Sequence, residues 1–335
     1  MSDEQRPAAG EPPVELRRPR FRVSPAHGLG PDPVVRRHDP SNIVLFDGRY
    51  HVYYTRHELP DMPYGQMWRR AFLEPWVSQI WLATSEDGLT WVEHGDVFPP
   101  QEGAWCILGR HAPHIVRHAG RYYLYFTAHG GGADELERHI GVAVAEKPSG
   151  PFELTPGPAL LSPTRKPGDF DGWLIDDPCV ILRDGRFWLY YKGRPLDSTS
   201  AWEDSRVGVA FADHPVGPYR RCSLGALADA HTGCVWPHRE GVAMLADSPP
   251  PERFRLRYAA DGLHFEEAGL VGQNIRDNGV YCPQALEDVD YGHGISWGLG
   301  LQRDEKDRQY LVRFDCDLEV PVTPRSTPVS RSQQD

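Results

Sequence analysis

Apolar and polar positions alternate in short runs along the whole chain, and the longest apolar stretches are the length of strands. Three segments repeat one phrase: DPSNIVLFDGRYHVYYT at 39–55, APHIVRHAGRYYLYFTA at 112–128 and DPCVILRDGRFWLYYKG at 177–193. Each reads as a strand, a two-residue Asp-Gly or Ala-Gly turn and an aromatic-rich strand, the pattern of a β-hairpin. A second strand pair with its own turn follows each one, at 80–95, 140–155 and 207–222. The unit is therefore four strands. Two weaker copies follow, one at 234–247 with 254–269, the other at 282–299 with a last strand at 309–315.

Five four-stranded units in register predict an all-β chain folded as a five-bladed β-propeller, whose inner strands begin around a central channel. Two β-sandwiches are the competing architecture, and the recurrence of the hairpin phrase argues against them. The expected organisation is a disordered, Pro-rich tail over 1–30, one propeller over 31–320 and a second tail over 321–335. Between the inner and outer pairs of the first unit lies a long connection, 56–79. With Trp68, Phe72 and Trp76 it reads as a wall of the ligand site or a homodimer contact.

Composition narrows this further. The 33 Gly and 32 Pro leave little room for long helices, while 36 Trp, Tyr and Phe argue against disorder. A net charge of −11 excludes a basic nucleic-acid binder. No apolar stretch approaches the ~20 residues of a membrane span, and the N-terminus has no apolar signal core, so a cytoplasmic protein is expected. The six cysteines are far apart with no C-x-x-C pair and read as reduced core residues.

In a propeller, polar residues that open the inner strands converge on the axis although they are distant in sequence. Those positions hold Asp39, His111 to His114, Asp177 and the segment around His231. Two carboxylates from different blades facing one pocket suit glycoside hydrolysis, in which one group activates water and another protonates the leaving oxygen. Sugars are gripped by aromatic faces and by charged hydrogen-bonding groups. Candidates near strand starts are Asn42, Trp105, His111, His114, Trp173, Asp176, Lys192, Trp236 and His293. Lys192 stands out because only Lys147, Lys166, Lys192 and Lys306 occur.

HDPSNIV at 38–44, with its aromatic hairpin, resembles the opening of the five-bladed glycosidase propellers, the arabinofuranosidases, xylosidases and invertase-like enzymes. IDDPCVILRDGRFWLYYKG at 175–193, HTGCVWPHREGVAML at 231–245, YAADGLHFEEA at 258–268 and GHGISWGL at 292–299 resemble glycoside hydrolase family 117, the α-1,3-3,6-anhydro-L-galactosidases. The resemblance covers about residues 36–318. It implies an exo-acting, inverting glycosidase releasing 3,6-anhydro-L-galactose from neoagaro-oligosaccharides, with Asp39 as general base, Asp177 as the orienting carboxylate and His231 as general acid. An acid histidine must be protonated, a state that neighbouring carboxylates favour. The chain departs from the family at Thr232, where Glu is common, and at His114, where related propellers often carry Asp. Its short Pro-rich N-terminus also differs from the helical extension through which family members dimerise.

Alternatives are an arabinofuranosidase- or xylosidase-like enzyme, or a carbohydrate-binding propeller without catalysis. The latter has no need of two axial carboxylates. GISWG at 294–298 and HGGG at 129–132 mimic α/β-hydrolase motifs, but Ser296 lies within a strand pattern rather than at a strand-to-helix turn. His111, His114 and His118 cannot share one metal ion from a single strand. No cofactor is expected to be required; a structural divalent ion in the channel is compatible with the fold.

Overall fold

The computed structural model describes residues 11–320, apart from 60–65, 67–69, 71–76, 100–103, 107, 130–136, 202 and 249–253. Trp68, Phe72 and Trp76 lie outside the described residues. The chain forms a five-bladed β-propeller. Blade 1 comprises Val35–His38 with Val44–Phe46, then Arg49–Glu58, Gln79–Ser85 and Val92–Asp96. Blade 2 comprises Arg110–His118, Arg121–His129, Arg138–Ala145 and Glu153–Leu154; blade 3, Leu174–Arg183, Arg186–Arg194, Arg206–Ala212 and the short Arg220–Arg221 and Ala228–Asp229. Blade 4 comprises Thr232–Arg239, Gly241–Asp247, Phe254–Ala259 and Glu266–Leu270. Blade 5 comprises Arg276–Tyr281, Gly292–Arg303 and Gln309–Glu319, and its outer strand is Phe21–Pro25 from the start of the chain.

The hairpins form for a local reason. Asp47-Gly48, Ala119-Gly120 and Asp184-Gly185 all have positive φ at both positions. That is the turn whose twist matches paired strands. The paired strands then alternate side chains between neighbouring blades, and the described residues form five apolar clusters, one at each seam. Phe46, Tyr53 and Leu82 of blade 1 meet Leu124 and Phe126 of blade 2. Val52 and Tyr54, on the other face of blade 1, meet Leu299 and Leu311 of blade 5. At this last seam Ile43 N–H donates to Val280 O at 2.9 Å, and a Cβ on Gly279 would stand 1.9 Å from Ser41 O.

Two sequence expectations change. The segment read as a tail over 1–30 is structured from residue 11 onward. Val14–Arg17 is a helical turn that buries Leu16 in the cluster between blades 4 and 5, and its Glu15 carboxylate binds His238 and Arg239. Phe21–Pro25 pairs with Gln309–Glu319, because the last strand would otherwise present an open edge. The inner strand of blade 5 begins at Arg276 rather than Cys282, so the fifth unit starts earlier than its weak hairpin phrase suggests. Cys106, Cys179, Cys234 and Cys282 are buried free thiols, whereas Cys222 and Cys316 are half-buried rather than core. No helix among the described residues is long and apolar enough to cross a membrane.

Candidate active site

Five equivalent triplets open the inner strands: His38-Asp39-Pro40, His111-Ala112-Pro113, Asp176-Asp177-Pro178, His231-Thr232-Gly233 and Arg276-Asp277-Asn278. In four of them the middle residue is left-handed, with φ of 48° at Asp39, 48° at Ala112, 51° at Asp177 and 39° at Asp277. In blades 2, 3 and 5 the strand register shifts at that point. Such a bulge re-aims a side chain, here toward the axis. The fourth blade lacks it: Thr232 and Gly233 pair regularly with Asp247 and Ala246. Asp39, Asp177 and Asp277 thereby line one pocket, with Ala112 and Thr232 completing the ring.

Each carboxylate has a different environment. Asp39 Oδ2 accepts from His38 Nδ1 at 2.7 Å and from Thr55 Oγ1 at 3.2 Å. Burial alone would raise its pKa, but the His38 and His111 imidazoles outweigh burial and hold it at about 2. Asp176 is fully buried beside two cations, with Arg138 against Oδ2 and Lys192 Nζ at 3.2 Å, and the His111 imidazole places Nε2 at 3.2 Å from Oδ1. Burial opposes its ionisation, yet Lys192, Arg138 and His111 hold it well below the usual carboxylate range. Lys192 Nζ also contacts Asp177 Oδ2 at 2.6 Å. Burial and the neighbouring Asp176 push Asp177 upward, with Lys192 opposing. Asp277 has no ion-pair partner among the described residues. Burial and Asp39 raise it to about 6, against Lys192 and His38.

Threonines tie this ring together. Thr55, which pairs with His38, accepts from Ala112 N–H at 3.0 Å; Thr127, which pairs with His111, accepts from Asp177 N–H at 3.2 Å. Lys192 occupies the matching position opposite Asp176 in blade 3. A hydroxyl thus fixes the bulge of the next blade twice, and the third position carries a cation.

The other candidates separate by their contacts. His111 and Asp176 stand behind the pocket and set its charge. His231 adjoins it; its N–H donates to Asp247 O at 2.6 Å, and its Nδ1–H to Ala201 O at 2.7 Å. Burial, and secondarily Lys192, pushes this imidazole down to about 3, against the expectation that carboxylates keep it charged. His114 borders the pocket but donates Nε2–H to Val180 O at 2.9 Å, joining blades 2 and 3. Asn42 lines the pocket as well, and its amide also staples blade 1 to blade 2, donating to Ile115 O and accepting Ile115 N–H, each at 2.9 Å.

Trp105 stacks on Phe126 with centroids 6.1 Å apart and is not in the pocket wall. Trp173 lies under the Arg194 guanidinium, 4.9 Å from its ring. Trp236 is completely buried in the seam between blades 4 and 5, so it serves packing rather than sugar binding. His293 is at the opposite end of the propeller. The strand it opens runs back toward the pocket, and His293 pairs with His238 at the far end of blade 4. Sequence reasoning missed Asp277, His38 and Arg138. The recurring triplet, taken over all five blades, would have located the first two. Among the described residues no group of three or more His, Cys, Asp or Glu side chains is arranged to hold a metal ion.

A propeller with carboxylates on its bulged inner strands, converging on an axial pocket, defines the five-bladed glycoside-hydrolase architecture. The chain belongs to glycoside hydrolase family 117. It is 30% identical to Zg3597, a family 117 glycoside hydrolase produced by the marine bacterium Zobellia galactanivorans, with a TM-score of 0.80 over 93% of this chain and 94% of that one. The model of glycosyl hydrolases family 43 matches residues 33–178. An arabinoxylan arabinofuranohydrolase of Bacillus subtilis is 26% identical over 181 residues, which is 50% of this chain and 32% of that protein. Xylosidase/arabinosidase 43A of Humicola insolens is 35% identical over 101 residues, 30% of this chain and 27% of that protein. The matched segments thus span about a third or less of these two relatives.

Proposed function

We propose that the protein is an exo-acting, inverting glycosidase that removes a terminal sugar from a short oligosaccharide. The observation that carries this reading is the pairing of Asp39 and Asp177 in one axial pocket, with Asp39 kept ionised by His38 at 2.7 Å. An ionised Asp39 takes a proton from water as its oxygen attacks the anomeric carbon. Asp177, anchored by Lys192 at 2.6 Å, orients the sugar from the third blade. A pocket ringed by all five inner strands suits the end of a chain better than its middle, which supports exo action. Inversion requires the acid and base to stand far enough apart for a water, roughly 6.5–9.5 Å for carboxylate pairs.

Kinship with family 117 supports 3,6-anhydro-L-galactose at the end of neoagaro-oligosaccharides as the sugar removed. The names of the two partial relatives support a second reading, an α-L-arabinofuranosidase or β-D-xylosidase. Incubation with neoagarobiose, arabino- and xylo-oligosaccharides and the matching aryl glycosides, with reducing-sugar detection and NMR of the first-formed anomer, separates them. Release of 3,6-anhydro-L-galactose with inversion is the expected result. Turnover of pentosides alone replaces the first reading with the second, and retention at the anomeric centre removes the inverting mechanism.

A further inference from the structure

We propose that Asp277, the bulged residue opening the fifth blade, is the proton donor to the departing glycosidic oxygen. The inference rests on the glycosidase reading of the pocket and names a residue that reading leaves unassigned. Hydrolysis needs an acid as well as a base, and neither the third nor the fourth blade offers a free one. His231 spends Nδ1–H on Ala201 O, and burial pushes the ring towards its neutral form. Thr232, beside it, has no acidic proton to give and lies on an unbulged strand. Asp177 is pushed upward by burial and Asp176, but its Oδ2 is held by the Lys192 ammonium at 2.6 Å, and that contact occupies it as an acceptor.

Asp277 meets the requirements that these residues do not. It has the left-handed backbone of Asp39 and Asp177, lines the same pocket and has no ion-pair partner among the described residues. The charged groups facing it are Asp39 and His38 of blade 1, Asp177 and Lys192 of blade 3, and Arg303 of its own blade. The balance leaves Asp39 at about 2 and Asp277 at about 6. Two carboxyls whose environments drive their pKa values apart form an acid–base pair. Burial and Asp39 push Asp277 towards its protonated form, whereas burial, and secondarily Lys192, push His231 away from its protonated form.

The Asp277 proton passes to the glycosidic oxygen as its bond to the anomeric carbon breaks. A water oxygen bonds to that carbon and gives its proton to Asp39. The products are a hemiacetal sugar and an alcohol, and solvent returns the proton from Asp39 to Asp277.

The test compares the wild type with Asp277→Asn, Asp277→Glu, Asp177→Asn, His231→Gln and Asp39→Asn, on an oligosaccharide that the wild type cleaves and on the 2,4-dinitrophenyl glycoside of the same sugar. For Asp277→Asn, kcat/KM should fall about 10²–10⁴-fold on the oligosaccharide and less than about tenfold on the activated glycoside. The alkaline limb near pH 6 should disappear, and Asp277→Glu should restore it in part. Equal losses on both substrates in folded Asp277→Asn overturn the proposal. So does leaving-group-dependent loss in His231→Gln or Asp177→Asn but not in Asp277→Asn. If the wild type cleaves nothing in the panel, or Asp39→Asn retains full activity, the glycosidase reading itself fails and this inference fails with it.

Discussion

Replacing Asp277 by Asn should make the protein more stable, and more so as the pH rises. Asp277 has an ordinary value of 3.8 when unfolded and about 6 in the folded pocket. The folded state therefore binds this proton more tightly than the unfolded one. The stability this provides is fully present below 3.8 and is lost as pH rises through 6. At 1.36 kcal/mol per pKa unit, the charged side chain costs the folded state about 3 kcal/mol at pH 8 and about 1 kcal/mol at pH 4.5. Asn, nearly the same shape, removes that cost at both. Any fixed packing penalty cancels in the difference, leaving about 2 kcal/mol of extra stabilisation at pH 8. Urea unfolding of both proteins at the two pH values measures it. Thermal melts should show the same effect as a differential Tm shift of about 3 °C for a chain of this size. A shift that is equal at both pH values, or that shrinks on raising the pH, would refute the electrostatic account of the pocket.

Asp39→Asn should lower kcat by at least about 10²–10⁴-fold with little change in KM, measured in the same steady-state assays. Its stability cost of about 2 kcal/mol should be evident at pH 7 and vanish as pH falls through 2, since Asp39 is held at about 2 in the folded protein. Lys192→Met strands Asp177 and removes one of the cations around Asp176, and chemical denaturation at pH 7 should show a loss of about 3–5 kcal/mol. Gly279→Ala would press a Cβ against Ser41 O at the seam of blades 5 and 1, so a loss of about 2–3 kcal/mol is expected in the same measurement. Deleting residues 1–25 should lower Tm sharply, because it uncovers the edge of Gln309–Glu319.

Much of this architecture is written in local chemistry. Asp-Gly and Ala-Gly turns set three hairpins, and Asp-Pro opens two inner strands, so Asp39 and Asp177 are visible in the sequence. The fifth inner strand is harder to see. RDNGVY has no apolar hairpin of its own and is separated from its partner by residues 282–291. Asp277 is hidden for that reason. Phe21–Pro25 is hidden because its pairing partner lies at the other end of the chain. Trp236 and His293 show the opposite limit. Residue type suggests a sugar ligand, whereas strand direction and blade packing decide whether the side chain faces the axis, a seam or the far face.

The strand that completes blade 5 has a consequence for the order of assembly. Blades 2, 3 and 4 are each contiguous in sequence and can form from neighbouring hairpins. By contrast, Arg20 N–H meets Asp317 Oδ1 across 297 residues. Loop-closure entropy makes contacts of such separation slow to form. Asp39 and Asp277 belong to the two blades that this closure brings side by side. During refolding, far-ultraviolet circular dichroism should therefore recover before catalysis does, and the lag between the two signals times the sealing of the ring.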